Sequence, residues 1–306
     1  MLKFFLIRLL KALLTIWFIL SLVFVFTRIT GDPTNWLLPD DASEQQREEL
    51  RESLGLNKPL YEQYVNTITS LVTGDAGKSY SYLRPVSDLF AERVGFTLRL
   101  GFASFFISAI LGVTLGIIAA VYRNSFFDRL TMGISIAGST LPNFVLSILL
   151  VFLFSLKLRM LPSAGTGTIY NYIMPVIAMS VGPTASIARL TRSSLLDVLR
   201  QDYLDLARAK GVRTPIVLIK HALRNALIPV VTIIGLQLGS IISGSVVVET
   251  VFSWPGIGTL IITAARTRDY PVIIYGVMWI AAAVTLMNML VDLSYSFLDP
   301  RIRDNA

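Results

Sequence analysis

The chain has 306 residues, of which 54% are hydrophobic and only 15% are charged, whereas soluble domains carry about 25% charged residues. This composition excludes an ordinary soluble domain and predicts an integral membrane protein. With no Cys and one His, His221, the chain cannot form disulfides and lacks the several ligands that a zinc or nickel centre needs. The net charge of +7 fits basic loops beside membrane helices better than a nucleic-acid partner.

Six charge-free windows predict six membrane-spanning helices, because about 20 helical residues cross a bilayer core. The windows are Ala12–Thr27, Leu100–Tyr122, Leu130–Leu156, Met160–Ala188, Asn225–Val248 and Tyr270–Val291. The first is short, and it reaches full length if the side chains of Lys11 and Arg28 extend to the interfaces. We predict a kink at Pro142 in the third window and a helix start near Tyr172 in the fourth.

The first window follows a basic start, as the apolar part of a signal peptide does. No small-residue cleavage site comes after it, since the chain continues as Thr-Arg-Ile-Thr at 27–30. We therefore interpret this segment as a retained helix.

The distribution of Lys and Arg predicts the orientation. With the amino terminus inside, the inner segments hold 15 of these residues and the short outer loops hold four. The long segment 29–99 carries little topological weight because of its length. We therefore expect one transmembrane domain over residues 1–306, with both termini in the cytoplasm, an extracytoplasmic loop at 29–99 and a cytoplasmic loop at 189–224.

Helix signals divide the long outer loop into segments. Ser43 and Gln46 form a capping-box pattern, and Gly55 can end the helix that follows. Pro59 and Pro85 can each start a further helix, the second leading into the second span. The loop is therefore expected to be a small helical cap, which acts either as a docking surface or as a spacer.

No enzyme site is recognised in the sequence. Residues 74–79 read Gly-Asp-Ala-Gly-Lys-Ser, but a phosphate-binding loop needs a Gly where Val72 stands. The predicted spans hold no ionisable residue at mid-depth, which argues against a proton-driven carrier more strongly than against a sodium-driven one. A transporter of this kind would take its energy from a partner.

The inner-loop sequence DYLDLARAKG at 202–211 predicts a short capped helix. Asp202 is the expected N-cap, and Asp205 places negative charge at the helix start. Gly211 can take the left-handed conformation that ends a helix, and Pro215 can start the next one. By pattern alone, this helix either binds a partner or is an ordinary solvated loop.

The same segment resembles the cytoplasmic EAA loop of ABC-importer membrane subunits, whose pattern is E-A-A-x-x-x-G. The matching positions are Asp205, Leu206, Ala207 and Gly211. Asp replaces the Glu, Leu replaces the first Ala, and Pro229 comes later than in the general pattern. The sequences ARAKG at 207–211 and KHALRNALIP at 220–229 nevertheless resemble those of one subfamily, the peptide and nickel uptake permeases.

Further motifs resemble the B-type subunit of that subfamily over essentially the whole chain. They are GDP at 31–33, LGLNKPLYEQY at 54–64, GDAGKSY at 74–80, RPV at 84–86, LPNF at 141–144, MLPSAG at 160–165, VVETVFSWPGIG at 247–258, RDYPVI at 268–273 and LDPRIR at 298–303. Each motif is short, but their order and spacing together are specific.

The resemblance implies an all-α membrane protein with six transmembrane helices, the type I ABC-importer permease fold and a helical extracytoplasmic loop between helices 1 and 2. Such a permease lies in a bacterial or archaeal plasma (inner) membrane and is not an enzyme. Its implied partners are a homologous second permease subunit, two cytoplasmic ATPase subunits, an extracytoplasmic solute-binding protein and membrane lipid, without nucleic acid. It binds no cofactor, since ATP and Mg²⁺ are used by the ATPase subunits.

In such permeases the loop helix fits a groove on an ATPase subunit and transmits its closure. The residues implied in this coupling are Asp205, Ala207 and Gly211 by motif position, with Arg208 and Lys210 as neighbours. The implied substrate is a di- or oligopeptide, and nickel, glutathione or another small solute is the alternative. The residues that bind substrate are not predicted. A stand-alone secondary transporter or channel, or a membrane-anchored receptor, is the competing class.

Two further patterns have more than one interpretation. Gly112 and Gly116 form a small-xxx-small pair, which serves either packing within the chain or a subunit interface. Trp254-Pro255-Gly256 either forms a turn that dips to the membrane face or places Trp254 in an aromatic belt.

Overall fold

A computed structural model describes residues 2–29, 31–39 and 41–298, with side chains described except at 2–5, 36, 208, 214, 240–244 and 292–298. Every regular element in these ranges is helical. The helices are α1 (Leu2–Ile29), α2 (Thr34–Leu37), α3 (Glu44–Ser53), α4 (Leu60–Thr73), α5 (Val86–Val121), α6 (Phe126–Thr140), α7 (Asn143–Leu150), α8 (Tyr170–Leu199), α9 (Asp202–Ala209), α10 (Thr214–Ile216), α11 (Arg224–Val251), α12 (Ile257–Thr267) and α13 (Tyr270–Leu298). Two π-helical stretches, Val151–Lys157 and Val217–Leu223, continue α7 and join α10 to α11.

The described ranges contain five helical segments that are long and apolar enough to cross a membrane. They are Leu6–Ile29, Val86–Val121, Tyr170–Leu199, Val217–Gly239 and Tyr270–Val291. The α6–α7 pair makes a sixth if it counts as one bent span. The prediction of six spans is confirmed in this form.

The third predicted span is broken rather than kinked. The helical segments Phe126–Thr140 and Asn143–Lys157 meet at 105°. Pro142 has no N–H with which to continue the helical hydrogen bonds, and Leu141 and Pro142 both take extended conformations, with ψ of 122° and 140°. The kink predicted at Pro142 in the window Leu130–Leu156 is therefore a break between two helices.

The start of α8 at Tyr170 agrees with the prediction of a start near Tyr172. Asn171 lies in the first turn of α8, and its side-chain amide contacts the segment before the helix. It accepts a hydrogen bond from Thr168 N at 3.0 Å and donates one to Ala164 O at 2.7 Å. One side chain therefore holds the Gly-rich segment against the beginning of the helix.

The local signals of the outer loop are confirmed. Ser43 and Gln46 form both hydrogen bonds of the capping box that begins α3. Gly55 follows that helix with φ of +67°, a conformation that glycine adopts at little cost. α5 starts directly after Pro85 and runs without a break to Val121, so the last loop helix and the second span are one helix.

The helices α5 and α8 form the most extensive pair in the bundle. A Cβ atom on Gly112 would lie 2.7 Å from Ile187 Cβ, and one on Gly116 would lie 2.5 Å from Thr191 Cβ. Such distances are shorter than carbon atoms tolerate. The small-residue pair of α5 therefore serves packing against α8 within the chain.

Three hydrophobic cores are spread along the bundle. The first includes Trp254, the second joins the start of α5 to α12, and the third lies around Leu204. Val86 belongs to the second core and Ala120 to the third, so the length of α5, about 50 Å at 1.5 Å per residue, separates them. We name the end of the bundle that carries the outer loop, residues 31–85, the loop face. The opposite end, which carries α9, is the α9 face.

Candidate functional site

The short helix α9 is anchored by one buried side chain. Leu204 has no exposed surface and packs into the third core. The other buried members of this core are Ala120, Leu195, Val217, Ala222 and Ala226. They belong to the ends of α5 and α8, to the π-helix that leads into α11 and to α11 itself, so α9 is fixed to three spanning helices.

The helix begins one residue earlier than predicted. α9 starts at Asp202, and the N–H of Leu204 donates to Gln201 O at 3.0 Å. Asp202 is therefore the first helical residue and not the N-cap. Asp202 and Asp205 both lie in the first turn, where carboxylates interact favourably with the helix dipole.

Gly211 ends the helix in the predicted conformation. Its φ is +79°, and the N–H of Val212 donates to the carbonyl of Ala207 at 3.2 Å. This six-residue closing bond is that of a Schellman motif. Apart from its chain neighbours, no described residue has an atom within 4 Å of where a Cβ on Gly211 would stand, so the need for glycine comes from the backbone conformation.

The five residues predicted to mediate coupling lie together on α9 and its carboxyl end. Asp205 and Lys210 are exposed, and Ala207 is half-buried against the third core. Leu206 is 56% exposed. The side chain of Arg208 lies outside the described residues. The helix thus offers a short surface of mixed charge around exposed apolar side chains that include Leu206.

A groove of about 400 Å³ lies beside α9, between the end of α8 and the start of α11. Tyr203 lines the groove, and its hydroxyl accepts a hydrogen bond from Asn225 Nδ2 at 2.8 Å. Ser194 Oγ donates to the carbonyl of Ala226 at 2.7 Å. These two bonds join α9 and α8 to α11, so a displacement of α9 acts on both helices.

An ion pair holds α6 to the same end of α8. Arg192 donates to Asp128 through Nε and, at 2.8 Å, through Nη2, and Asp128 is almost fully buried. Asp128 also accepts a hydrogen bond from the N–H of Asn124 at 2.9 Å. Such two-point pairs have defined geometry. The α9 face is therefore a connected unit of α5, α6, α8, α9 and α11.

The Trp-Pro-Gly turn near the loop face lies inside the bundle. Trp254 has no exposed surface, and its Nε1 donates to Phe96 O at 3.1 Å. Its ring meets Tyr172 edge-on, with ring centroids 4.6 Å apart. The aromatic-belt interpretation of Trp254 is therefore wrong, because a belt residue reaches the membrane interface.

Glu249, at the end of α11, caps α12 from outside that helix. Its carboxylate is fully buried and accepts hydrogen bonds from the N–H groups of Gly258 at 2.7 Å and Thr259 at 3.2 Å. Both donors belong to the first turn of α12, where free N–H groups favour an anion. Thr97 Oγ1 donates to the other oxygen at 2.7 Å. A Cβ on Gly256 would lie 2.4 Å from this carboxylate, so the turn needs glycine there.

The segment that resembles a phosphate-binding loop is a tether. Asp269 is fully buried and accepts hydrogen bonds from Ser79 Oγ, from Tyr80 N at 3.1 Å and from Ser81 N at 3.0 Å. A phosphate-binding loop opens directly into a helix, whereas the next helix here begins at Val86. The segment instead fastens the outer loop to the start of α13.

A second tether joins the loop face to α13. Tyr270 donates its hydroxyl hydrogen to Gly31 O at 2.9 Å. The adjacent Asp32 accepts hydrogen bonds from Thr34 N at 2.9 Å and Oγ1 at 2.7 Å, and it pairs with Arg51 of α3. Burial alone favours the neutral acid, but the bonds from Thr34 and Arg51 outweigh it and lower the pKa of Asp32.

The sequence did not identify several residues that organise these sites. Leu204, Glu249 and Asp269 are buried and each joins segments that are distant in the chain. Glu249 and Asp269 do stand within the motifs VVETVFSWPGIG and RDYPVI. Those motifs were the available signal, although the partners of the two carboxylates could be read only from the structure.

Two family profiles together cover nearly the whole chain. The profile described as "Binding-protein-dependent transport system inner membrane component" matches residues 112–304. The profile described as "Binding-prot-dependent transport system membrane comp, N-term" matches residues 1–100. The first profile alone spans more than half of the chain.

Curated relatives match over the full length. The glutathione transport system permease protein GsiC of Escherichia coli (strain K12) is 42% identical over 304 residues, which are 99% of this chain and 99% of the relative. The protein of the same name from Pectobacterium atrosepticum shows the same identity and the same coverage of both chains.

Two solved structures are similar in fold. A chain of the MetNI methionine ABC transporter in an inward-facing conformation has a TM-score of 0.57 and 19% identity, with 69% of this chain and 96% of that chain covered. A chain of an amino acid ABC transporter has a TM-score of 0.52 and 18% identity, with 70% and 94% covered. The fold class expected from the sequence is confirmed.

Proposed function

This chain belongs to the family of binding-protein-dependent transport system inner membrane components, and from that membership we propose that it conducts glutathione or another short peptide through the membrane. It is a permease subunit of an ABC importer and a multi-pass inner membrane protein, as its resemblance to the peptide and nickel uptake permeases implied. The resemblance to the subfamily implied a di- or oligopeptide as substrate, with glutathione among the alternatives. The names of the relatives favour glutathione.

We propose that α9 is the coupling element, with Asp205, Ala207, Arg208, Lys210 and Gly211 forming the contact with an ATPase subunit. The observation that carries this proposal is the anchoring of an otherwise exposed helix through Leu204. A partner that pushes on the exposed side of α9 would move the buried side chain, and with it the ends of three spans. The groove beside Tyr203 gives that movement room.

The proposed assembly contains this chain, a homologous second permease subunit, two cytoplasmic ATPase subunits and an extracytoplasmic solute-binding protein. ATP and Mg²⁺ are used by the ATPase subunits, and this chain binds no cofactor of its own. The capped helices α3 and α4 form the surface on which the solute-binding protein docks. Residues 1–306 act as one permease domain.

We propose that the α9 face is cytoplasmic and the loop face is extracytoplasmic, with both termini inside. The excess of Lys and Arg near α9 supports this orientation. The chain has no natural Cys, so single cysteines report accessibility directly. A membrane-impermeant maleimide added to intact cells should label Gln45→Cys and should not label Asp304→Cys. Labelling of position 304 from outside would refute the orientation.

Reconstitution into proteoliposomes tests the function. The complete complex should accumulate labelled glutathione only when ATP and the solute-binding protein are present, and vesicles that contain this chain alone should accumulate none. A dipeptide transported in preference to glutathione would move the substrate to the general peptide class. Uptake by this chain without the ATPase subunits would instead identify a stand-alone transporter or channel.

A further inference from the structure

A cavity of about 380 Å³ opens at the loop face beside the end of α1. Helices α3 and α4, the segment at 76–80 and the start of α13 complete its wall. The polar side chains that line it include Arg28, Lys58, Gln63, Asn66, Tyr80 and Tyr270. Two of them are cationic, and the described lining residues include no Asp or Glu.

The guanidinium of Arg28 forms no ion pair among the described residues, and Asp32 acts on it only from a distance. Its Nε is buried and has no hydrogen-bond partner, and its Cζ lies 5.1 Å from the centroid of the Phe24 ring. The nearby Asp32 is already paired with Arg51 and bonded to Thr34. A partly buried cation without an anion is costly, so the cavity favours a negatively charged group at this position.

The cavity also has an unused hydrogen-bond acceptor. Gln63 is buried, and its Nε2 donates to Leu56 O at 2.9 Å and to Lys58 O at 2.7 Å. These two bonds fix the orientation of the amide and leave Oε1 buried without a partner. A ligand that donated a hydrogen bond would satisfy this oxygen.

Tyr80 adds a donor to the same wall. Burial raises the pKa of its phenol to about 12, although the positive charge of Arg28 opposes that shift. The phenol therefore keeps its hydrogen at every pH at which the protein is used.

We propose that this cavity binds an oxyanion, a phosphate or a carboxylate, on a molecule that also carries a hydrogen-bond donor. Arg28 pairs with the oxyanion, and Gln63 Oε1 accepts from the donor. The end of a membrane-spanning helix is expected at the level of lipid headgroups, so one source at the end of α1 is a phospholipid headgroup with a hydroxyl or an ammonium group. The other source is a soluble molecule with the same two groups, and the site stands whichever solute is transported.

Calorimetric titration of the purified transporter complex, prepared without the solute-binding protein, tests the site. The probes are dihexanoyl phosphatidylglycerol, which keeps the headgroup but is soluble, and glutathione, which carries carboxylate and ammonium groups. Arg28→Gln removes the cation. Ser70→Phe places an aromatic ring in the cavity wall while Arg28 stays intact. Arg266→Gln is the matched control, since Arg266 is an exposed arginine outside the cavity lining.

We expect saturable binding of at least one probe to the wild type, weakened tenfold or more by Arg28→Gln and by Ser70→Phe, and unchanged by Arg266→Gln. A tenfold loss is about 1.4 kcal/mol, close to the smallest contribution of a hydrogen bond to a charged group. Binding of the lipid probe alone assigns the site to a headgroup, and binding of glutathione assigns it to a soluble molecule. No saturable binding by the wild type, or binding by Arg28→Gln and Ser70→Phe that is as tight as that of the wild type, overturns the proposal.

Discussion

Thr97 Oγ1 donates a hydrogen bond of 2.7 Å to the buried carboxylate of Glu249, 152 residues further along the chain. The same threonine oxygen accepts a bond of 2.9 Å from the N–H of Ile257, the first residue of α12. Two side chains from two spans therefore complete the hydrogen bonding at the start of a third helix. The position of α12 depends on both.

Replacing Glu249 tests this arrangement. Glu249→Ala leaves the N–H groups of Gly258 and Thr259 buried without an acceptor, and each lost bond to a charged group costs about 1.5–3 kcal/mol. We expect a clearly lower thermal unfolding midpoint of the purified chain, measured by a fluorescence shift assay. Glu249→Gln keeps one acceptor and should lower the midpoint less. Equal midpoints for the wild type and Glu249→Ala would contradict the capping role.

Gly211→Val should impair coupling. The φ of +79° is strained for a β-branched residue by about 1–2 kcal/mol, so the end of α9 should fray. We expect ATP hydrolysis and uptake to become uncoupled, or ATPase assembly to weaken, with normal membrane insertion. Gly55→Val is the matched control, because it creates similar strain at φ of +67° on the loop face. Wild-type coupling in Gly211→Val would show that α9 is an ordinary solvated loop.

Alanine substitutions of the two leucines of α9 should separate the anchoring of this helix in the bundle from its contact with the ATPase. Leu204→Ala removes a fully buried side chain and should cost about 2–5 kcal/mol. It should reduce ATPase stimulation and thermal stability together. Leu206→Ala changes an exposed side chain and should weaken ATPase binding, measured by co-purification, with little change in stability. The opposite pattern would reverse the two roles.

Asp205→Lys should act in the same direction as Gly211→Val but more weakly. It reverses a charge in the first turn of α9, where the interaction with the helix dipole is worth about 0.3–1 kcal/mol. It also changes the surface that meets the ATPase. The ratio of glutathione transported to ATP hydrolysed should fall less than in Gly211→Val. If this ratio fell more than in Gly211→Val, the charge of Asp205 would matter more for coupling than the end of α9.

The loop face should loosen in acid through Asp32. Its pKa is lowered in the folded protein, so its stabilising bonds are fully present above the unfolded pKa of about 3.9. They are lost as the pH falls through the lower folded value. A nitroxide at Gln45→Cys should gain mobility below about pH 4, measured by paramagnetic resonance. Asp32→Asn should remove most of that pH dependence, whereas the exposed Asp41→Asn should leave it unchanged.

Local chemistry predicted much of this fold. The capping box of Ser43 and the left-handed conformation of Gly211 depend on neighbours within a few residues, so the local sequence is enough to predict both. The position of the break at Pro142 was predicted, but the angle between α6 and α7 was not. That angle depends on how α7 packs after α6 has ended.

The sites held by distant partners could not be predicted in this way. The bonds of Asp269 reach Ser79, 190 residues away, and those of Glu249 reach Thr97. A buried carboxylate is costly without such donors, so each acid implies a partner. The sequence contains many hydroxyl and amide donors, and only the packing of the spans selects one.

The main spanning neighbour of α1 is α13, and this pairing constrains how the protein is made. The helix α1 is synthesised long before α13, because translation proceeds from the amino terminus. Until α13 leaves the ribosome, α1 lacks its main packing surface. Its exposed apolar side chains, such as Leu14 and Phe18, tolerate that interval. The packing of α1, the first helix to be made, is thus completed only after α13, the last, has been inserted. A polypeptide that stops before α13 leaves α1 without its main partner.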